Sequence, residues 1–269
     1  MTEGWVYKTS FITLKRAVEK HHLLENGEKV LVGVSGGVDS MVMLHLLNNF
    51  NQRRYKDWEI IAVHINPNFP RWQTKKIIKF FESLNVRYLI DDINVPQKLL
   101  AVAGSDKRLR PCFLCARERR KRLFEIAEQH GIRKIALAHH LEDVNETFFL
   151  NLFYVSEAKT FSTKQDFFHN QYHIIRPLYY FDKDFINNYA ETYQIPVVKN
   201  KCPYDIDSER NRIRNLLNKY YTKNPRIKTN IFWGIKNARL DVLPFKSSSR
   251  RKVQEKCKEK NDARASVSQ

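Results

Sequence analysis

Apolar residues recur along this chain in two alternating rhythms. Short runs without helical spacing lie at 30–34 (Val30, Leu31, Val32, Val34), 59–65 (EIIAVHI), 87–90, 134–138 (KIALA) and 174–178 (IIRPL). Such near-continuous apolar runs suit parallel strands covered on both faces. Between them the spacing turns helical. Residues 9–22 place Phe11, Ile12, Leu14, Ala17 and Val18 on one side of a basic helix, and residues 70–84 give a stripe of Ile77, Ile78, Phe80, Phe81 and Leu84. A helix from Cys115 runs through Leu123, Ile126 and Ala127 to Gly131 as its stop, and another opens near residue 139 and continues through Phe153. Asp182 is placed to cap a helix over 182–193, and Ser208 to cap a basic one over 209–220. Strands and helices in alternation predict an α/β, Rossmann-like fold: a parallel five-stranded sheet with right-handed crossovers and flanking helices.

The pattern also divides the chain. Residues 1–27 read as an N-terminal helical segment, 28–222 as the main domain and 223–269 as a basic extension. Beyond about 246 the chain is charged and almost without apolar residues, so disorder is expected there.

One break in the rhythm carries chemistry. The first strand runs into Ser35-Gly36-Gly37-Val38-Asp39-Ser40, and an apolar helix pattern starts at Met41. Two glycines let the backbone turn tightly against a ligand. A strand, a glycine turn and a helix N-terminus gather backbone N–H groups on one point, which suits a phosphate. Neither G-x-x-x-x-G-K-[ST] nor G-x-G-x-x-G is present. The loop carries Asp39 instead of a lysine, which fits pyrophosphate held by amides and hydroxyls with Mg²⁺ at the aspartate. The plainer reading makes Ser35 and Asp39 helix caps only. The loop after the second strand, from His64 and Ile65 onward, should lie beside this turn, because ligands in doubly wound sheets sit beyond the carboxyl ends of strands. Backbone groups near Ile65 are placed to read a base, and His64 is either a site residue or a packed strand residue.

Charge adds a partner. The chain has 269 residues, a formal net charge of +18 and a pI near 9.7. That balance argues for a polyanion, nucleic acid first and an anionic membrane surface second. No apolar run approaches a membrane span and no signal-peptide core is seen, so a cytoplasmic protein is expected. The four cysteines are Cys112, Cys115, Cys202 and Cys257. In a reducing compartment a C-x-x-C pair points to metal or redox chemistry rather than a disulfide. Cys112 and Cys115 sit at a helix start beside the densest cluster of arginines in the chain, 117–122 (RERRKR). The helix dipole and nearby cations favour thiolates. The arginines are either a solvated face or an RNA backbone contact. After the fourth strand, His139-His140-Leu141-Glu142-Asp143 puts acids in a helix first turn, good for capping and for Mg²⁺. Cys257, in the charged tail, is expected to be a bystander.

These residues carry a resemblance. SGGVDS is similar to the SGGxDS loop of PP-loop ATP pyrophosphatases, which cleave ATP between the α- and β-phosphates. PCFLCARERR, KIALAHHLEDVNETFFLNLF, IIRPL and the distant Cys202 resemble the tRNA 2-thiocytidine synthetase family over about residues 28–217. The resemblance implies an ATP-dependent tRNA sulfurtransferase. ATP would lie over Val34, Ser35, Gly36, Gly37, Asp39 and Ser40, with His64, Ile65 and His139 alongside and Mg²⁺ bound. A pyrimidine carbonyl of tRNA, cytidine C2 before others, would be adenylated, and sulfur would then replace the activated oxygen and expel AMP. Cys112, Cys115 and Cys202 would hold a 4Fe–4S cluster whose fourth iron is open. Structural zinc with a histidine as fourth ligand, and a C-x-x-C redox pair, are the other readings of these thiols. Asp39, Lys121 and Asp143 would be the catalytic group, Lys121 as a charge near the reacting base. A sulfur donor (sulfide or a persulfide-carrying protein) and a homodimer belong to the same expectation. The sequence departs from the family at Ala138 (usually Gly), Glu142 (usually Asp) and Val38 (often Lys). The paired zinc-binding cysteine clusters of thiouridine enzymes are missing, which favours the thiocytidine branch. Rival readings are a lysidine synthetase-like ligase without a cluster, on the strength of Glu209-Arg210-Asn211-Arg212-Ile213-Arg214-Asn215, ATP-dependent sulfur transfer to a small molecule, and a non-catalytic RNA-binding or sulfur-carrier module.

Overall fold

The computed structural model describes residues 2–54, 56–102, 111–198 and 208–239. Its elements in chain order are α1 (Glu3–Lys20), β1 (Lys29–Gly33), α2 (Val38–Arg54), β2 (Glu59–Asn66), α3 (Thr74–Ser83), β3 (Arg87–Asp92), α4 (Val95–Val102), α5 (Pro111–Gln129), β4 (Lys134–Ala136), α6 (Leu141–Tyr154), β5 (Lys164–Phe167), β6 (Tyr172–Ile175), α7 (Lys183–Thr192), α8 (Glu209–Lys223) and α9 (Arg226–Lys236). By its contacts the chain divides into Met1–Phe232 and Trp233–Gln269. Cys202, Cys257 and the charged tail lie outside the described residues.

One sheet in the order β3-β2-β1-β4-β6-β5 organises the first unit. Period-two alternation splits each central strand between two cores. Val30, Val32, Ile60 and Ala62 face one core with residues of α1, α2 and α7. Leu31, Ile61, Val63 and Ile135 face the other, against Leu123, Ile126 and Ala127 of α5. The α2 stretch Met41–Leu44, with Leu46 and Leu47, is buried throughout, which is why it reads as apolar on every side.

The expected five parallel strands are present, and a sixth strand joins them. β1 to β4 and β6 run parallel, while β5 pairs antiparallel with β6 at the edge. The β5 sequence, Lys-Gln-Asp-Phe, has no apolar alternation, so no strand signal exists before the chain folds. What makes it a strand is the turn: Phe168, His169 and Asn170 all have positive φ and fold 164–167 back onto β6. Charged edge residues are also how sheets discourage further pairing.

Other differences are local. On α1, Ile12 is exposed while Val6, Phe11, Leu14, Ala17 and Val18 are buried, because the i, i+3, i+7 stripe leaves Ile12 one step off the face. α3 starts at Thr74, leaving Pro70 before it. α5 starts at Pro111, so both Cys112 and Cys115 are helical, one turn apart. Asp182 and Ser208 do cap α7 and α8, accepting from the amides of Phe185 and Asn211.

Candidate active site

The strand order reverses direction at β1, with β2 and β3 on one side and β4 and β6 on the other. That is the switch point where a crevice opens beyond the strand ends. The loop after β1 fills it. Gly36 turns at φ 91°, a left-handed conformation that L side chains resist. Ser40 Oγ donates to the Gly37 carbonyl (2.9 Å) and accepts from the Ser35 amide (3.1 Å). Ser35 Oγ lies 3.1 Å from Ser40 Oγ and accepts from the Gly37 amide at 3.4 Å. The Val198 amide donates to the Gly36 carbonyl (3.0 Å). The loop is thus held from within by its own serines.

Beyond it lies a cavity of about 300 Å³. Val34, Ser35, Asp39 and Ser40 form one wall, Ile65 of β2 and His139 after β4 two others, and Ala116, Arg119 and Arg120 of α5 close it. Ala116, Arg119, Arg120 and Leu123 share one face of α5 at i, i+3, i+4, i+7. Lys121 falls off that face. It is largely exposed, lies 3.6 Å from Glu125 and does not line this cavity. The arginines in reach are its neighbours in sequence, which helical phase alone distinguishes.

His64 is fully buried and is also not among the lining residues. Its Nε2 accepts from Trp72 Nε1 (3.1 Å), so the neutral ring donates from Nδ1 to the Val34 carbonyl (2.7 Å). Burial holds its pKa below the usual value, against the bond to Val34, which raises it. Its place is a prop under the loop. His139 does line the cavity. Burial pushes it down to about 4, Asp143 opposes, and Arg176 adds to the fall. Arg176, itself buried, donates to the Ser162 carbonyl (2.7 Å) and Gln165 (3.0 Å), approaches His139 Nδ1 at 3.4 Å and lies over the Phe161 ring.

Asp39 also borders a second cavity of about 610 Å³, lined by His140, Glu142, Asp143, Glu146, Lys183, Arg214 and Lys228 among others. The Nε2 of His140 lies 3.8 Å from Asp39 and 3.5 Å from Asp143, so both carboxylates flank one imidazole nitrogen. Burial would lower the His140 pKa, but the bond to Glu142 and the charges of Asp143 and Asp39 raise it overall. Lys183 pairs with Asp39. Arg210 lies 3.4 Å from Asp143, and Arg214 holds Glu146 through two bonds of 2.7 and 3.0 Å.

Glu142 anchors this cluster. It accepts from the Lys183 amide (3.0 Å), from His140 and from the buried Lys228 (3.0 Å). Its burial favours the neutral acid, yet the His140 bond, the charge on that ring and the other partners win and hold its pKa at about 2. A depressed carboxylate stabilises the fold above its ordinary value near 4.5 and loses that contribution as pH falls toward 2. Glu142→Gln is therefore expected to cost about 3 kcal/mol at pH 7, since among the described residues it leaves the buried Lys228 ion-paired with the exposed Asp184 alone. The penalty should shrink between about pH 5 and 2. Urea denaturation across that range measures it, and a pH-independent penalty would mean packing alone is at stake.

Cys112 is exposed and Cys115 part-buried against the second core. They sit one turn apart at the start of α5, upstream of the arginines that face the cavity. Among the described residues no three His, Cys, Asp or Glu side chains gather as a metal site. The third cysteine of the expected set, Cys202, is outside those residues. Two thiols at i, i+3 on a helix N-terminus fit part of a thiolate-ligated centre. Arg119 and Arg120 belong to the basic cluster that the sequence offers as an RNA backbone contact, but their place on the glycine-loop cavity is not legible there, and neither is the part played by Lys183 and Arg176. Only the phase of α5 relative to the apolar Leu123 could have selected the first two.

Residues 7–220 match the model of the ATP-binding PP-loop domain family. A tRNA-cytidine(32) 2-sulfurtransferase of Dichelobacter nodosus is 34% identical over 203 residues, spanning 75% of this chain and 75% of the relative. One from Alkalilimnicola ehrlichii is 32% identical over 231 residues, 86% of this chain and 73% of the relative. The U34-tRNA thiolase NcsA of Methanococcus maripaludis, solved with its [4Fe-4S] cluster, superposes with a TM-score of 0.69 at 23% identity, over 86% of this chain and 78% of that one, and so shares the fold. The chain belongs to the PP-loop family of ATP-using enzymes and, within it, to the tRNA 2-sulfurtransferase family.

Proposed function

We propose that this protein is an ATP-dependent tRNA sulfurtransferase that activates the C2 carbonyl of a cytidine, position 32 as in its relatives, and exchanges its oxygen for sulfur. The observation that carries this reading is one helix. α5 brings the C-x-x-C pair and the arginines facing the glycine-loop cavity into a single rigid element, in a chain whose relatives bear that activity over most of their length.

The chain's own residues supply the activation step. The loop amides and the N-terminus of α2 receive the pyrophosphate of ATP, and Ser35 and Ser40 keep the loop in its receiving shape. Asp39 and Asp143, either side of His140 Nε2, are the carboxylates for Mg²⁺. Arg119 and Arg120 oppose the charge that builds on the α-phosphate as the base carbonyl attacks. His139, neutral in its buried setting, lines the cavity where the activated base must sit. Cys112 and Cys115, with Cys202, would hold a 4Fe–4S cluster, which would present sulfide-level sulfur for the exchange. A sulfide donor, or a persulfide carrier together with a two-electron reductant, would supply that sulfur. No helix among the described residues is long and apolar enough to cross a membrane.

The segment that resembles lysidine synthetases has a structural use here, since Arg210 and Arg214 hold Asp143 and Glu146. The test is iron, acid-labile sulfide and zinc on protein purified without oxygen, followed by turnover with tRNA and ATP. About four iron and four sulfide per chain, with AMP and 2-thiocytidine formed together, is expected. Zinc alone, or AMP without thiolated tRNA, would overturn the reading.

Helical phase gives a second test. Arg120→Ala is expected to slow AMP formation about 10- to 100-fold at saturating tRNA. Lys121→Ala, exposed and paired with Glu125, should change it less than about 2-fold. The reverse order would restore Lys121 to the reacting base.

A further inference from the structure

A groove of about 620 Å³ runs along the outer side of α5, against the β5–β6 hairpin. Its size is that of a small-molecule site. Five of its twelve lining residues are aromatic. Phe124 sits at the centre of a herringbone, 5.2 Å from Phe167, 5.2 Å from Phe168 at 87° and 5.8 Å from Tyr172. Phe168, at the hairpin tip, is 58% exposed, and Phe113, one residue after Cys112, is 62% exposed. Large rings left this open beside one another mark a face that meets a partner. Both rings flank basic residues: Arg117, Arg120 and Lys121 line the same groove, and Glu125 on its wall is already engaged by Lys121 and Arg122. Glu128 is the remaining acid of the lining.

The groove is not separate from the active site. Ala116 and Arg120 line both it and the glycine-loop cavity, so one turn of α5 forms the shared wall. A base held in the cavity for adenylation has to leave its stack, and its neighbour along the strand is then exposed within reach of that wall. Aromatic faces rimmed by arginine are what an unstacked base meets in proteins that bind single-stranded nucleic acid.

We propose that the groove formed by Phe113, Phe168 and the Phe124 cluster is a second base-binding subsite, which stacks an unpaired RNA base adjacent to the reacting pyrimidine. This rests on the tRNA reading above. It adds that the enzyme grips two nucleotides of a loop, one on each side of α5. Recognition of an unpaired neighbour makes the enzyme choose single-stranded loops over helical RNA, in which the flanking base stays stacked.

The test uses the full-length holoenzyme and substrate tRNA, with affinity read by fluorescence anisotropy. Phe168→Ala is the chosen variant, because an exposed ring at a hairpin tip can be removed without opening a core. It is expected to weaken tRNA binding about 5- to 100-fold, and Phe168→Trp to restore it. The salt dependence of binding should keep its slope, because no phosphate contact is lost. A tRNA made abasic at each nucleotide flanking the target should, at one position, bind the native enzyme as weakly as intact tRNA binds Phe168→Ala, with no further loss when the two changes are combined. Unchanged affinity in Phe168→Ala, or additive losses at every abasic position, would overturn the subsite. A change in sedimentation of Phe168→Ala without tRNA would also overturn it, by making the groove a contact between copies. The parent reading fails differently: the native enzyme would then leave tRNA unthiolated whatever its affinity.

Discussion

Asp39→Asn is expected to lower tRNA-dependent AMP formation by about 10³-fold while the protein stays folded. Its carboxylate borders both cavities, lies near His140 Nε2 and pairs with Lys183. No other described acid reaches the glycine loop in this way, because Asp143 and Glu142 line only the second cavity. Asparagine keeps the shape and removes the charge that a magnesium ion needs. The effect on stability should be small, since the Asp39 side chain is about 30% exposed and such ion pairs contribute little in water. Thermal melts should therefore match the native protein within a few degrees while pyrophosphate release collapses. A loss under tenfold would remove Asp39 from the metal and leave it as a partner of Lys183 alone.

The second large effect concerns sulfur. Cys112→Ala and Cys115→Ser are each expected to abolish formation of 2-thiocytidine and to leave ATP affinity within about 2-fold. A thiolate ligand has no substitute in a methyl or a hydroxyl group. Neither thiol is among the residues lining the glycine-loop cavity, so the nucleotide's own contacts persist. Serine is chosen at Cys115 because that side chain packs partly into the second core, where alanine would leave a void. Cys202→Ala should behave in the same way if the third ligand is placed as proposed. Iron content and ATP binding, measured on the same preparations, separate the two roles. Parallel loss of both would make the cysteines structural.

Both outcomes together would assign activation to the crevice between β1 and β4, walled by Ala116, Arg119 and Arg120, and sulfur supply to the thiols just before them at the start of α5. The second base subsite would join them by holding the RNA loop across that helix.

Much of this was legible before folding because it is local. The strand of Val30 to Val34 is read from consecutive apolar residues, and the glycine loop from six adjacent positions. The caps at Asp182 and Ser208 are read from a side chain and an amide three residues on. The C-x-x-C spacing likewise states a relation within one helical turn. These features depend on neighbours in sequence, so the sequence by itself determined the α/β class, the phosphate-binding turn and the thiol pair. What it could not state were relations set by packing. Whether Arg120 or Lys121 faces the glycine-loop cavity depends on the rotation of α5 about Leu123 and Ile126, which the second core decides. His64 became a buried prop because Trp72 and the Val34 carbonyl claim both its nitrogens. The sixth strand exists because a turn at residues 168–170 returns a polar segment to the edge of β6. Lys183 meets Asp39 across 144 residues, a contact no local pattern encodes. Period and composition act over a few residues, whereas partner choice waits for burial to bring distant groups together. That is why the chemistry could be read from the chain, and why its geometry came only from the fold.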